Sequence, residues 1–184
     1  VPSITSPIID QLVPGDTAPG NMRYRRGGTG NLPTLDGLPL YKPPYGRVTA
    51  IDLNTGTIAW QVPLGDGPRN HPLLKDLNVG PLGDGTRANP MVTGSLLFVS
   101  QFSGGLGSGP ALKVGGRDLT TNLPRPAPKF RAFDKRTGAV VWEKELPLAP
   151  AASPMTYMAG GRQYIVVAAG GGGQAELIAF ALPR

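Results

Sequence analysis

One repeated pattern constrains this chain more than any other feature. Ala50-Ile51-Asp52-Leu53-Asn54-Thr55-Gly56-Thr57-Ile58-Ala59-Trp60 and Ala132-Phe133-Asp134-Lys135-Arg136-Thr137-Gly138-Ala139-Val140-Val141-Trp142 both read A-x-D-x-x-T-G-x-x-x-W. A chain that repeats such a unit stacks copies of one supersecondary structure, because a single copy cannot bury its apolar face alone. Asp followed by Thr-Gly is turn chemistry: the carboxylate accepts local backbone N–H groups and the glycine takes a positive φ. Strand alternation puts Ala50 with Asp52, and Ala132 with Asp134, on one face. Trp60 and Trp142 then fall on the following strand, where a large ring fills the gap to a neighbouring sheet. A small Ala beside a large Trp is the size match that interlocking sheets need. Ala50, Asp52, Thr55, Gly56 and Trp60, with Ala132, Asp134, Thr137, Gly138 and Trp142, are therefore read as a packing motif rather than as catalytic residues.

A second repeat overlaps the first. Ala88-Asn89-Pro90-Met91 precedes Leu96-Leu97-Phe98-Val99, and Ala152-Ser153-Pro154-Met155 precedes Tyr164-Ile165-Val166-Val167. Leu177-Ile178-Ala179-Phe180 then parallels the strand that ends at Phe133, with Ala181 where the motif has Asp. The unit is four strands, counted as two in 47–63, four in 88–146 and three in 152–182. Four-stranded sheets arranged radially are the blades of a β-propeller. The expected fold is all-β, a partial propeller of about two to three four-stranded antiparallel blades. Residues 45–184 carry the blades, with a Gly/Pro-rich insertion at 103–128. Residues 1–44 show no clear strand pattern and read as an irregular Gly/Pro-rich excursion or linker.

Composition narrows the chemistry. There is no cysteine, and His71 is the sole histidine. The lack of cysteine removes disulfides, thiolate zinc sites and covalent haem attachment. Any metal site would have to be oxygen-rich, and no metal ligands are assigned. The net charge of +6 includes a cluster at Arg23, Arg25 and Arg26. The other basic residues are dispersed with few aromatics between them, so the charge reads as solvated surface and not as a nucleic-acid site. No apolar stretch reaches the ~20 residues of a membrane-spanning helix.

Topology separates two ends. In a meander the turns at 93–95 and 159–161 and the two Thr-Gly turns share one end, and all are short. The link 64–87 and the loop 103–128 leave from the other end and are long. Long loops on a rigid scaffold concentrate binding residues, so that end is the expected active face. Pro68-Arg69-Asn70-His71-Pro72 is its most functional cluster: the planar fork of Arg69 suits a carboxylate and His71 can meet substrate, the alternative being that Arg69 and His71 only cap and order a long loop. Asn89 and Ser153 open inner strands nearby. Gly83-Asp84-Gly85-Thr86-Arg87-Ala88 fits G-x-G-x-x-A, but no helix follows and the dinucleotide motif lacks its setting.

The docking pattern resembles the tryptophan-docking motif of pyrroloquinoline-quinone (PQQ) dehydrogenases, which are eight-bladed propellers. Leu40 through Asp52, Trp60-Gln61-Val62-Pro63-Leu64-Gly65, and Ala152 through Tyr157 with Gly161 through Val167 resemble the C-terminal blades of the glucose/alcohol dehydrogenase branch. The resemblance spans about residues 38–184. It implies oxidation of an alcohol or sugar hydroxyl, with PQQ and Ca²⁺ as cofactors and ubiquinone or a cytochrome as acceptor. It also implies a periplasmic site at the outer face of the inner membrane, and the remaining propeller blades as partners. The catalytic base and most cofactor ligands of such enzymes lie upstream of this segment, so Arg69, Asn70, His71 and Asn89 are the candidate cofactor- or substrate-binding residues. The segment alone is expected to be inactive. Some glucose-oxidising relatives carry a His where this chain has Gly172, which counts against glucose as substrate. The alternative is a non-catalytic propeller of the same repeats acting as a binding or assembly scaffold.

Overall fold

The computed structural model describes residues 1–15, 22–31, 34–102, 113–114, 117–118, 127–171 and 173–182. Among them the secondary structure is all strand: β1 (Pro2–Ile4), β2 (Ile8–Pro14), β3 (Tyr24–Asn31), β4 (Thr34–Leu35), β5 (Leu38–Pro39), β6 (Gly46–Asp52), β7 (Thr57–Pro63) and β8 (Ala88–Val92). There follow β9 (Leu96–Gln101), β10 (Lys113–Val114), β11 (Arg117–Asp118), β12 (Lys129–Asp134), β13 (Val140–Glu145), β14 (Met155–Ala159), β15 (Arg162–Gly171) and β16 (Gln174–Phe180). The chain divides into two compact units, one of Val1–Thr5, Pro43–Gly105 and Pro124–Arg184, the other of Ser6–Lys42 and Leu106–Leu123.

The first unit holds three antiparallel sheets, ordered β1-β6-β7, β13-β12-β9-β8 and β14-β15-β16. Strands β8, β9, β12 and β13 form the expected four-stranded meander, and the fold is a partial β-propeller. The stretch 1–44 departs from expectation. Its Pro2–Ile4 pairs with β6, Pro2 opposite Val48 and Ile4 opposite Gly46. In the second unit, Ile8–Pro14 and Tyr24–Asn31 form a hairpin with a bulge at Gln11/Leu12. Arg26 closes this hairpin on Asp10 at 2.7 Å. Both pairings run through backbone groups, and the described side chains of β2 and β3 are mostly exposed. Neither pairing needed the apolar alternation by which strands are found in a sequence.

Two apolar layers join the three sheets. Val48 and Leu64 of the first sheet pack with Leu97, Val99 and Phe133 of the second. Phe130 and Leu146 of the second pack with Ile165 and Val167 of the third. β12 therefore has both faces covered, and Phe130, Arg131, Ala132 and Phe133 are all buried. Burial of a Phe or Val side chain contributes about 1.5–3 kcal/mol, so these layers are the main force holding sheet to sheet.

The two motif copies adopt the same turn. Gly56 N–H donates to the Asp52 carbonyl at 2.7 Å and Gly138 N–H to the Asp134 carbonyl at 2.9 Å, and the two glycines have φ of +72° and +76°. Ala50 lies directly opposite Trp60, and Ala132 opposite Trp142. Trp60 joins the first apolar layer and donates its indole N–H to the Lys135 carbonyl at 3.0 Å. Its ring fills the space beside Gly138, where an added Cβ would stand 2.6 Å from Cε3. The Thr-Gly turn of one sheet is thus the seat for the Trp of the sheet before it.

Trp142 differs. It remains 39% exposed and meets Phe130 and Phe180 edge-on, with centroids 5.9 and 5.4 Å away. It bridges the second and third sheets through aromatic contacts and rests on no described Thr-Gly turn, because Ala181 stands where the next motif would have its Asp.

Trp60→Ala is expected to cost the intact protein about 3 kcal/mol, and Gly138→Ala about 2–4 kcal/mol, the clash with the indole adding to the penalty for a side chain at positive φ. Denaturant titration measures both, and a Gly138→Ala cost of only about 1 kcal/mol would show that the ring does not seat there. Asp134 carries a pH signature. Its carboxylate accepts from the Thr137 N–H at 2.8 Å, the Thr137 hydroxyl at 3.0 Å and the Arg136 N–H at 2.9 Å. The Thr137 N–H, then its hydroxyl, hold this carboxyl below the ordinary value of 3.8. A depressed carboxylate contributes stability above its unfolded pKa and loses it as pH falls through the folded one. The melting-temperature deficit of Asp134→Ala should therefore close as pH drops below 3.8.

Candidate functional site

The link 64–87 leaves β7 at the end opposite the Asp52–Gly56 turn and enters β8 at the end opposite the turn at 93–95. It belongs to the long-loop end, as the meander requires. Its two legs lie side by side: Leu82 N–H donates to the Asp66 carbonyl at 2.9 Å, Gly83 N–H to Gly65 at 3.0 Å and Asp84 N–H to Leu64 at 2.8 Å. Between the legs the chain turns repeatedly, with His71 N–H on the Pro68 carbonyl at 2.9 Å and Lys75 N–H on the His71 carbonyl at 2.9 Å.

These turns bring Arg69, Asn70 and His71 together. Arg69 Nη1 contacts the Asp66 carboxylate at 3.2 Å, and both side chains keep substantial exposure, 39% and 55%. The pair orders the loop and leaves Arg69 partly exposed. His71 Nδ1 accepts from the Leu73 N–H at 3.2 Å. Asn70 is exposed. Asn89 stands apart in β8 opposite Ser100, whose hydroxyl donates to the Asn89 carbonyl at 3.5 Å. Ser153 lies exposed ahead of β14. The loop 103–128 falls largely outside the described residues, and Gly172 entirely so.

The most heavily built polar feature of this end was not singled out from the sequence. Asp84, Gln101 and Arg131 are buried and bonded in series. Asp84 Oδ1 accepts from the Gly67 N–H at 2.6 Å and Oδ2 from Gln101 Nε2 at 2.5 Å. Gln101 Oε1 accepts from Arg131 Nη1. Arg131 Nε donates to Glu143 at 2.5 Å, and Lys129 reaches the same carboxylate at 2.6 Å. Burial pushes the Asp84 carboxyl above its ordinary value, while the Gly67 N–H, Gln101 and Arg131 pull against it and Asp66 adds to the rise. At Glu143 burial also pushes upward, but Lys129 and Arg131 outweigh it and the carboxyl lies below its usual range. Asp84 sits inside the G-x-G-x-x-A match rejected for lack of a helix. The four other members lie on three strands and share no sequence pattern; only Arg at a central strand position hinted at a buried partner.

A cleft of about 1160 Å³ opens at the opposite, short-turn end between the second and third sheets. Phe98, Phe130, Trp142, Tyr164 and Phe180 form its walls and Gly160-Gly161 its rim. It is apolar, and no member of the Arg69 cluster or of the Asp84 series lines it. Among the described residues no group of three or more His, Cys, Asp or Glu is placed to hold a metal ion.

Comparison with known proteins agrees with this architecture. The family model for the glucose/ethanol/alcohol dehydrogenase PQQ beta-propeller domain matches residues 13–165. The chain is 33% identical over 157 residues to a quinate/shikimate dehydrogenase (quinone) of Acinetobacter baylyi, covering 80% of this chain and 17% of that protein. It is 35% identical over 158 residues to a glycerol dehydrogenase large subunit of Gluconobacter thailandicus, covering 80% and 18%. A quinoprotein glucose dehydrogenase of Escherichia coli is 27% identical over 158 residues, covering 80% and 17%. The chain thus spans under a fifth of these relatives' length. With the docking turns, the four-stranded sheet and a family match over most of its residues in agreement, the chain belongs to the glucose/ethanol/alcohol dehydrogenase family, within its PQQ β-propeller domain.

Proposed function

We propose that the protein carrying this chain is a PQQ-dependent dehydrogenase that oxidises an alcohol, polyol or sugar hydroxyl and passes the electrons to a quinone or cytochrome. The observation that carries this reading is the build of the long-loop end: a link of 24 residues (64–87) held over a buried polar series and presenting Arg69 beside His71. A scaffold propeller has no use for such a link. PQQ supplies the electron-accepting quinone when bound. Its carboxylates suit Arg69, whose partly exposed fork can form charge-assisted bonds in a fixed plane. Asn70 and His71 orient the hydroxyl-bearing substrate, and Asn89 lines the approach from β8. Ca²⁺ and a periplasmic location at the outer face of the inner membrane belong to the same reading and rest on the family resemblance.

The remaining blades complete the site. Trp142 offers a ring without a described Thr-Gly seat, and Gly56 is a Thr-Gly seat with nothing within 4 Å of its Cβ position. The pairing edge of β16 away from β15 has no described partner. Further strands of the same propeller take up all three.

Four outcomes are expected. The intact apoprotein, given PQQ and Ca²⁺, reduces a quinone-analogue dye with a polyol or alcohol; no turnover across a hydroxyl-substrate panel would leave the scaffold reading in its place. Arg69→Ala raises the Kd for PQQ about tenfold, the equivalent of ~1.4 kcal/mol, and leaves the melting temperature within about 2 °C, since exposed substitutions cost little. Gly56→Ala in the intact protein destabilises as much as Gly138→Ala. A cost of only about 1 kcal/mol, the penalty for positive φ alone, would mean that no preceding ring docks on that turn. Residues 1–184 alone should self-associate in sedimentation through unpaired edges and show no turnover.

A further inference from the structure

The polar series from Asp84 to Lys129 has a fixed polarity that bears on the link above it. Asp84 accepts only, Arg131 donates only, and the Gln101 amide between them can face either way. With Nε2 on Asp84 Oδ2 and Oε1 on Arg131 Nη1, both neighbours agree on one orientation. Asp84 spends its other oxygen on the Gly67 N–H at 2.6 Å, on the backbone between Asp66 and Arg69, the two ends of the loop's ion pair. The link is shaped to admit this carboxylate. Gly65 and Gly67 have φ of +92° and +64°. A Cβ on Gly65 would occupy the Asp84 carboxylate itself, and one on Gly67 would stand 2.5 Å from the Gly83 carbonyl oxygen. Fully paired, a buried network of this kind rigidifies what it holds; half-paired, it costs more than an apolar replacement.

The geometry points to Asp84 and Gln101 as positioning residues that clasp the 64–72 segment to the four-stranded sheet and thereby set where Arg69 presents its guanidinium for cofactor binding. The inference deepens the proposed function and rests on it for the identity of the ligand. The clasp is a relay from the sheet's outer strand β13, through β12 and β9, to the link. Arg131 is itself held by Glu143, and Glu143 by Lys129, so the orientation of Gln101 is enforced from behind.

A pair of substitutions rewires the relay without changing its total charge. In Asp84→Asn the new amide must keep its oxygen on the Gly67 N–H, which turns an NH2 toward the Gln101 NH2. Flipping Gln101 moves the clash to Arg131. Adding Gln101→Glu resolves it: the carboxylate introduced in β9 accepts both from Arg131 and from the amide NH2 introduced in the link, while the amide oxygen still accepts from Gly67. In the intact dehydrogenase, D84N should speed hydrogen exchange of the Gly67, Arg69, Asn70 and His71 amides at least tenfold and raise the Kd for PQQ about tenfold. The double variant D84N/Q101E should return both to within about threefold of wild type, while Q101E alone, with two adjoining carboxylates, should be worse than D84N. Unchanged exchange in D84N, or a double variant as impaired as D84N, overturns the clasp. Should D84N not fold, the double variant decides alone, since a clasp predicts that it folds and binds. If exchange responds and is rescued while neither D84N nor R69A alters PQQ affinity, the clasp stands and the assignment of this link to the cofactor face falls.

Discussion

Trp60 projects from β7 to seat its ring beside a glycine of the next sheet and to give its N–H to the Lys135 carbonyl. The contact joins a side chain of one sheet to the backbone of another, so it fixes distance and angle together, which apolar burial alone does not. It requires that Gly138 have no side chain, that Asp134 hold the turn through the Thr137 and Arg136 N–H groups, and that the strand residue opposite Trp60 be small, as Ala50 is. Each requirement recurs in the second copy of the motif. Because each of the two motif-bearing sheets offers a ring on one side and a turn on the other, the interface is head-to-tail, and such interfaces satisfy all their members only when the ring of sheets closes. Gly56 and Trp142 are the two open members of that series here.

The two ends of the sheets are stabilised by different means. At the short-turn end, docking is apolar and glycine-dependent, and the aromatic cleft beside Trp142 continues it. At the long-loop end the link is too rich in glycine and polar residues to form a core of its own, and its inner leg is secured by Asp84 against the Gln101–Arg131–Glu143 series. That series lies on the face of β12 toward the first sheet, whereas Phe130 and Ala132 face the third. One central strand thus carries an apolar layer on each face, with the polar relay beside Phe133 on the face toward the first sheet. Strand periodicity makes this possible, since residues 131 and 133 point opposite to 130 and 132.

The docking motif was legible because it is local: a turn, a glycine and a Trp at fixed spacing read the same in any context, and twofold repetition excluded chance. Strand number in 88–146 followed from the same unit. The pairing of Pro2–Ile4 with β6 was not legible, since a short edge strand is recruited by backbone groups and leaves no pattern in its side chains. The nature of Trp142's contacts was not legible either, because its partner Phe180 lies far along the chain and the motif says only that the ring meets a neighbouring sheet.

The sequence by itself thus determined the repeating unit, its four-stranded order and which loops share an end, all consequences of turn chemistry and period-two alternation. It also marked Arg69, Asn70 and His71 as one cluster, since they are neighbours in the chain. Only the tertiary structure decided that Asp84, Gln101, Arg131 and Glu143 act together. These residues come from a loop and three strands, and a buried polar group is recognised by the partners that satisfy it, which folding brings from 12 to 30 residues away.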